Sequence, residues 1–244
     1  MNLKSLSGIL RDLEPPDLIL LPELFATGFS MKSRELGESM DGPSMQWMSR
    51  MSGELGSSIA GSLILGEGGS FYNRLVWMHR DGSYQFYDKR HLFRMGGENE
   101  HYSGGNRRVI VQDFGFRFLP LVCYDLRFPV WSRNREDYDV LVYLSNWPAP
   151  RHEVWTSLLK ARAIENQCFV IGVNRVGTDG MGIPYRGCSM AFNPKGQRIV
   201  SLADGRPDSR VIRLDMGELL AFREKFPVWK DADSFELGNQ QDLP

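Results

Sequence analysis

The sequence predicts an α/β layered protein, and three observations carry that prediction. Short apolar runs bounded by turn residues recur along the chain, as strands do. The runs are continuously apolar more often than alternating, the pattern of strands covered on both faces. Stretches with three- and four-residue apolar spacing lie between some of them, so hairpins mix with helix-linked strands. That combination implies a mixed sheet, or two stacked sheets flanked by helices.

A first helix is expected to start after Leu3, and strands are expected at 18–21 and 58–65. Between those strands, "GPSMQWMSRMSGELG" reads as a helix with Pro43 in its first turn and Gly56 as its stop,. Strands follow at 75–79 and 84–88, joined by "HRDGSY", whose Asp-Gly pair marks a hairpin,. Further strands are expected at 108–112, 117–123, 140–145 and 169–173, with tight turns at "DFGF" and "NPKG",. A helix follows Pro129, and "RHEVWTSLLKARAIENQC" carries Val154, Leu158, Ala161 and Ile164 as one apolar stripe,. No repeat, low-complexity segment or linker divides the chain, so one domain over 1–244 is expected, with 226–244 as an extended arm.

The totals exclude several function classes. A chain of 244 residues can bury a sizeable core,. Net charge is −1, which gives no electrostatic footprint for nucleic acid or an anionic membrane. No apolar stretch approaches the ~20 residues that span a bilayer, and the amino terminus lacks the features of a signal peptide. Three widely spaced cysteines, at 123, 168 and 188, form no CxxC pair. They argue for a reducing, cytoplasmic setting rather than a disulfide framework. The four histidines lack metal-ligand spacing, and neither GxGxxG nor GxxxxGK[ST] occurs, so no metal or cofactor is expected.

Three polar residues stand at the same structural address, just after an apolar run. Glu23 follows "DLILLP", Lys89 ends "YQFYDK" and Cys123 ends "RFLPLVC". Each has an ordinary reading: a solvated acid, an exposed lysine, a small buried hydrophobe. Together they have a chemical one. A thiol is mostly protonated at neutral pH and needs both a base and a positive neighbour to act as a nucleophile. Open α/β sheets place their ligands at the carboxyl ends of strands.

The segments "LPELFATGFS", "YDKRHLF" and "LVCYDLRFPVWSRN" resemble, in order and spacing, the three signatures of the nitrilase superfamily of carbon–nitrogen hydrolases. "SNWPAPRHEVWTSLLKARAIENQCFVIGVNRVG" resembles the segment that follows them, and the likeness covers 17–200. Within the superfamily, "TGFSM" and "CYDLRFPVWSRN" are similar to the omega-amidase (2-oxoglutaramate amidase) branch. The resemblance implies a four-layer α-β-β-α sandwich and pairing of two chains into a homodimer. It implies Glu23 as general base, Lys89 as cationic stabiliser and Cys123 as nucleophile, acting on a small-molecule amide. A second glutamate is implied at Glu98, with Gly105 seven residues on; Glu100 is its rival. The Tyr124 N–H would assist Lys89 at the oxyanion, and Arg127 would grip a substrate carboxylate. An ion pair of Arg127 with Asp125 is the other reading. Phe29 and Trp147 are candidate pocket walls, or core aromatics. One departure stands out: the family usually opens with a strand and then a helix, so the usual first strand is expected to be missing, leaving a sheet edge. Rival readings are a carbamoyl amidase, aliphatic amidase or nitrilase; a Cys–His hydrolase using His91 or His152; and a non-catalytic dimeric module.

Overall fold

A computed structural model describes residues 3–237. In chain order its elements begin with α1 (Leu3–Arg11), β1 (Leu18–Leu20), α2 (Ser33–Leu36), α3 (Pro43–Leu55), β2 (Ser58–Glu67), β3 (Ser70–Met78) and β4 (Tyr84–Asp88). Next come α4 (Glu98–His101), β5 (Val111–Asp113), β6 (Phe116–Val122), α5 (Pro129–Ser132), β7 (Val140–Ser145) and α6 (His152–Asn166). The chain continues through β8 (Phe169–Asn174), β9 (Val176–Thr178), β10 (Pro184–Arg186), β11 (Met190–Phe192), β12 (Arg198–Ser201) and α7 (Met216–Lys225).

These elements stack in four layers. Strands β1-β2-β3-β4 form one sheet, and β12-β11-β8-β7-β6-β5 form the other. On the outer face of the first sheet, Leu6 and Leu10 of α1 and Met45, Met48 and Met51 of α3 pack on Ile59, Leu63, Val76 and Met78. Between the sheets, Leu75, Trp77 and Tyr87 share a core with Phe118, Val122, Val142 and Leu144. On the far side, Trp155, Leu159 and Ala163 of α6 cover the second sheet. Contact there is so close that a Cβ at Gly172 would lie 2.4 Å from Leu159 and 2.7 Å from Trp155, which is why β8 carries a glycine at that point.

Strands β6, β7 and β8 run parallel and adjacent, so their carboxyl ends open on one edge of the sandwich. The expected hairpin forms at Gly82, and the two expected tight turns also close hairpins, with left-handed backbone at Phe114 and Gly115 and at Gly196. Strand β1 pairs parallel with β2 at the edge of the first sheet.

Two readings change. The stripe Val154–Leu158–Ala161–Ile164 is not the buried face of α6. Trp155, Leu159, Arg162, Ala163 and Asn166 are buried instead, and Ile164 is 49% exposed. The two stripes are neighbours on the helix, and the one with the larger rings and branched chains takes the sheet. The polar amino-terminal half of β3 was unread as strand; its ladder to β2 runs from Glu67↔Ser70 onward. After Phe226 the described chain holds one 3₁₀ turn, Val228–Asp231, and no other regular element; 238–244 lie outside the described residues. Among the described residues no helix is long and apolar enough to cross a membrane.

Candidate active site

Two sharp backbone turns present the site. Glu23 follows β1, and the next residue, Leu24, turns back at φ +46° with its N–H on the Ser62 hydroxyl at 2.8 Å. Cys123 begins the 3₁₀ segment Cys123–Arg127 at the end of β6, with φ +44°. A non-glycine residue held there stores about 1–3 kcal/mol, and such strain gathers at functional positions. Lys89 follows β4 directly, and its N–H donates to the Asn73 carbonyl at 3.0 Å.

From these turns the side chains converge. The Lys89 Nζ lies 2.9 Å from Glu23 Oε1, and 3.0 and 2.9 Å from the two oxygens of Glu98. All three residues are at most 1% exposed. Glu100 points outward and is exposed, so of the two rival glutamates Glu98 is the one in the cluster. Gly105 lies against Lys89: its N–H donates to the Lys89 carbonyl at 3.0 Å, and a Cβ there would sit 2.2 Å from the Asp88 carbonyl oxygen. The half-buried Cys123 thiol reaches the Asn146 carbonyl at 3.8 Å, and its charged neighbours are Glu23 and Lys89.

The electrostatics follow from that crowding. Burial opposes the Lys89 charge, but Glu23 and Glu98 outweigh it and hold the ammonium well above the ordinary lysine range. Burial and the Glu23 carboxylate push the Cys123 thiol well up, against the pull of Lys89. The thiol is therefore neutral at rest, with an acceptor beside it.

Asp125 ties the two halves of the site together from behind. Its carboxylate accepts from the Tyr87 hydroxyl at 2.8 Å, the His91 N–H at 3.0 Å and the Val122 N–H at 3.0 Å, and it pairs with His91 Nδ1 at 2.7 Å. The carboxylate is thus occupied, and the ion pair with Arg127 does not form. His91 is held by Asp125 and stacked on Phe128 at 3.8 Å, while His152 opens α6. The thiol's hydrogen bond goes to neither of them but to the Asn146 carbonyl.

Of the remaining candidates, Phe29 lies 5.7 Å from the Lys89 ammonium, on the site side. Tyr124 stands edge-on to Phe93 and Phe128 at 5.1 and 5.2 Å. As the second residue of its 3₁₀ segment, Tyr124 has a main-chain N–H without an intrahelical acceptor. Trp147 serves both readings: it packs on Trp155 at 5.5 Å, and the exposed Arg127 guanidinium lies 5.2 Å from its ring. Two polar residues were missed. Asn146, just after β7, gives its N–H to Glu23 Oε2 at 2.7 Å and its side-chain amide to the Glu23 carbonyl at 2.8 Å. It occupies the same address after a strand as Cys123, and that signal could have found it. Asn73 lies inside β3 and donates to Glu23 and Glu98; nothing local marks it.

The arrangement can take a proton from a thiol, stabilise a new negative charge beside it and return the proton to a leaving group. Comparison with known proteins agrees with that chemistry. The carbon-nitrogen hydrolase family profile matches residues 3–223. The omega-amidase YafV of Escherichia coli K12 is 48% identical over 237 residues, covering 97% of this chain and 92% of its own. The 2-oxoglutaramate amidase of Bacillus subtilis is 34% identical over 222 residues, covering 88% and 84%. The crystal structure of XC1258 from Xanthomonas campestris, a CN-hydrolase superfamily protein, superimposes with a TM-score of 0.94 at 41% identity, covering 97% and 92%. Nit3 of Saccharomyces cerevisiae, from the nitrilase superfamily, shares the fold with a TM-score of 0.80 at 20% identity, covering 99% and 89%. The chain belongs to the carbon-nitrogen hydrolase family.

Proposed function

We propose that this protein is a thiol amidase that hydrolyses the terminal amide of a small dicarboxylic acid monoamide, such as 2-oxoglutaramate, to the acid and ammonia. The observation that carries the reading is the Lys89 ammonium seated between Glu23 and Glu98, with the Cys123 thiol beside Glu23. The omega-amidase and 2-oxoglutaramate amidase relatives support the substrate class.

As sulfur attacks the amide carbon, Glu23 takes the thiol proton. The oxyanion that forms is held by Lys89 and the Tyr124 N–H. Two of the three Nζ protons suffice for Glu23 and a chelating Glu98, which leaves the third for the oxyanion. Glu23 then passes its proton to the nitrogen, the C–N bond breaks, and ammonia leaves a thioester on Cys123. Water adds to the thioester carbon, giving its proton to Glu23, and the sulfur departs with that proton restored.

The raised thiol and the raised ammonium set the pH behaviour. A thiol held up stays protonated through the ordinary cysteine range near pH 8.5. Iodoacetamide alkylation of Cys123 should therefore show no midpoint at or below about pH 8.5. An alkylation midpoint near pH 7 would contradict the electrostatics.

Arg127 is the proposed receptor for the distal carboxylate, since its guanidinium has no carboxylate partner among the described residues. A guanidinium grips a carboxylate with two parallel hydrogen bonds, which an ammonium cannot do. Arg127→Lys should raise KM for 2-oxoglutaramate about tenfold or more and leave an uncharged short amide within about twofold, a difference of ~1.4 kcal/mol. Ammonia release from a panel of ω-amides, carbamoyl compounds and nitriles is the assay. Release from carbamoyl compounds or nitriles alone would overturn the substrate class, and an equal KM change on both amides would remove Arg127 from the receptor.

We further infer a homodimer built on the helices beside the nucleophile. The outward stripe of α6 ends in exposed Ile164, and Val130 and Phe226 are also exposed apolar side chains. A reducing cytoplasm suits the three free cysteines.

A further inference from the structure

The lone pairs of the two buried carboxylates are filled unequally. Glu98 accepts four hydrogen bonds: Asn73 Nδ2 at 3.1 Å, Lys89 Nζ at 3.0 and 2.9 Å, and the Phe93 N–H at 2.7 Å. An ionised carboxylate offers about four lone-pair sites, so Glu98 is full. Glu23 accepts three: Asn73 Nδ2 at 2.8 Å, Lys89 Nζ at 2.9 Å and the Asn146 N–H at 2.7 Å. One acceptor site on its Oε2 stays open, and the thiol is its neighbour.

Lys89 makes that difference by bonding both oxygens of Glu98 and one of Glu23, while the residue that ties the two acids to each other is Asn73. Its Nδ2 carries two protons, one for the Oε1 of each glutamate. Its amide orientation is fixed by its partners, because an oxygen in that place would face two acceptors. The consequence is visible on its other side, where Oδ1 is buried without a hydrogen-bond partner. The same residue accepts the Lys89 N–H on its carbonyl, so it fixes the lysine's backbone as well as both acids. The geometry points to Asn73 as a positioning residue that keeps two carboxylates together around one ammonium, so that Glu23 is held ready for the thiol proton.

The inference rests on the reading of Glu23 as the base. The charged and titratable groups facing the cluster are Glu23, Glu98, Lys89, the Cys123 thiol, and the tyrosines Tyr102 beyond α4 and Tyr185 of β10. Burial raises both tyrosines, so neither contributes charge at neutral pH. A carboxylate at position 73 would be a third negative group around a single ammonium, and an alanine would leave each Oε1 one donor short. Both changes favour protonation of the acids.

The test is the acid limb of kcat/KM in Asn73→Asp and Asn73→Ala. Turnover should fall about 10²-fold in each, and the limb should move to higher pH, by a unit or more in Asn73→Asp and by less in Asn73→Ala. A limb that stays in place in a variant with an intact melting transition overturns the inference. The wild-type enzyme supplies a readout that needs no variant to fold: the side-chain amide resonances of Asn73 should move at the pH of the acid limb. Resonances unchanged across the limb overturn the inference. Glu23→Gln separates the two levels. Substantial turnover in that variant overturns the base assignment and this inference with it, whereas an inactive Glu23→Gln beside an unmoved Asn73 signal overturns this inference alone.

Discussion

Cys123→Ala is expected to abolish turnover while leaving the fold in place. The sulfur supplies the bond that splits amide hydrolysis into two steps, with Glu23 and Lys89 as its charged neighbours. Removing the nucleophile of a nucleophile–base set that acts as a unit lowers kcat by about 10⁴–10⁶. Stability should change by about 1 kcal/mol or less, because the side chain is half-buried and bonded only to the Asn146 carbonyl at 3.8 Å. Ammonia release and a thermal melt check both parts. Turnover within a hundredfold of wild type would remove Cys123 from the chemistry.

Lys89→Met is expected to do damage of both kinds. The ammonium is the counter-ion of two carboxylates that are at most 1% exposed, and deleting one partner of a buried ionic set costs about 3–5 kcal/mol. For a chain of this length each kcal/mol lowers Tm by about 2–4 °C, so a drop of about 6–20 °C should appear in calorimetry. The same change removes an oxyanion donor, which lowers kcat by about 10²–10³. Lys89→Arg should not restore activity, since a planar guanidinium does not reproduce a point charge lying 2.9 Å from both Glu23 and Glu98,. A Lys89→Met variant that melts like wild type would show the two carboxylates to be compensated elsewhere.

The layered fold was legible because its signals are local. Strands β4 and β7 coincide with the apolar runs at 84–88 and 140–145, and the Asp-Gly turn at 81–82 closes its hairpin as written. The short strands β9–β12 were not read, because three or four residues are too few to display a period,. Helix α7 was also unread, although Asp215 caps it by accepting from Gly217 and Glu218, a signal the sequence does display. On α6 the periodicity was right and the face was off by one residue, since pattern alone cannot say which of two adjacent apolar stripes meets the sheet.

The site divides along the same line. Glu23, Lys89 and Cys123 stand at strand ends, where a local rule can find them. Asn73 is one polar residue inside a strand, and its meaning arises only when Glu23, 50 residues away in sequence, and Glu98, 25 residues away, fold onto its amide. Arg127 and Asp125 look like a pair in the sequence, but a 3₁₀ turn sends one out to solvent and buries the other under Tyr87 and His91.

Intact-mass spectrometry of the wild-type enzyme, acid-quenched during turnover of 2-oxoglutaramate, measures whether the thiol and its two charged neighbours act as one nucleophilic unit. A covalent species heavier by the substrate less ammonia, located on the peptide that contains residue 123, is the result expected. Steady ammonia production with unmodified enzyme at every quench time, or an adduct carried on another residue, would contradict it.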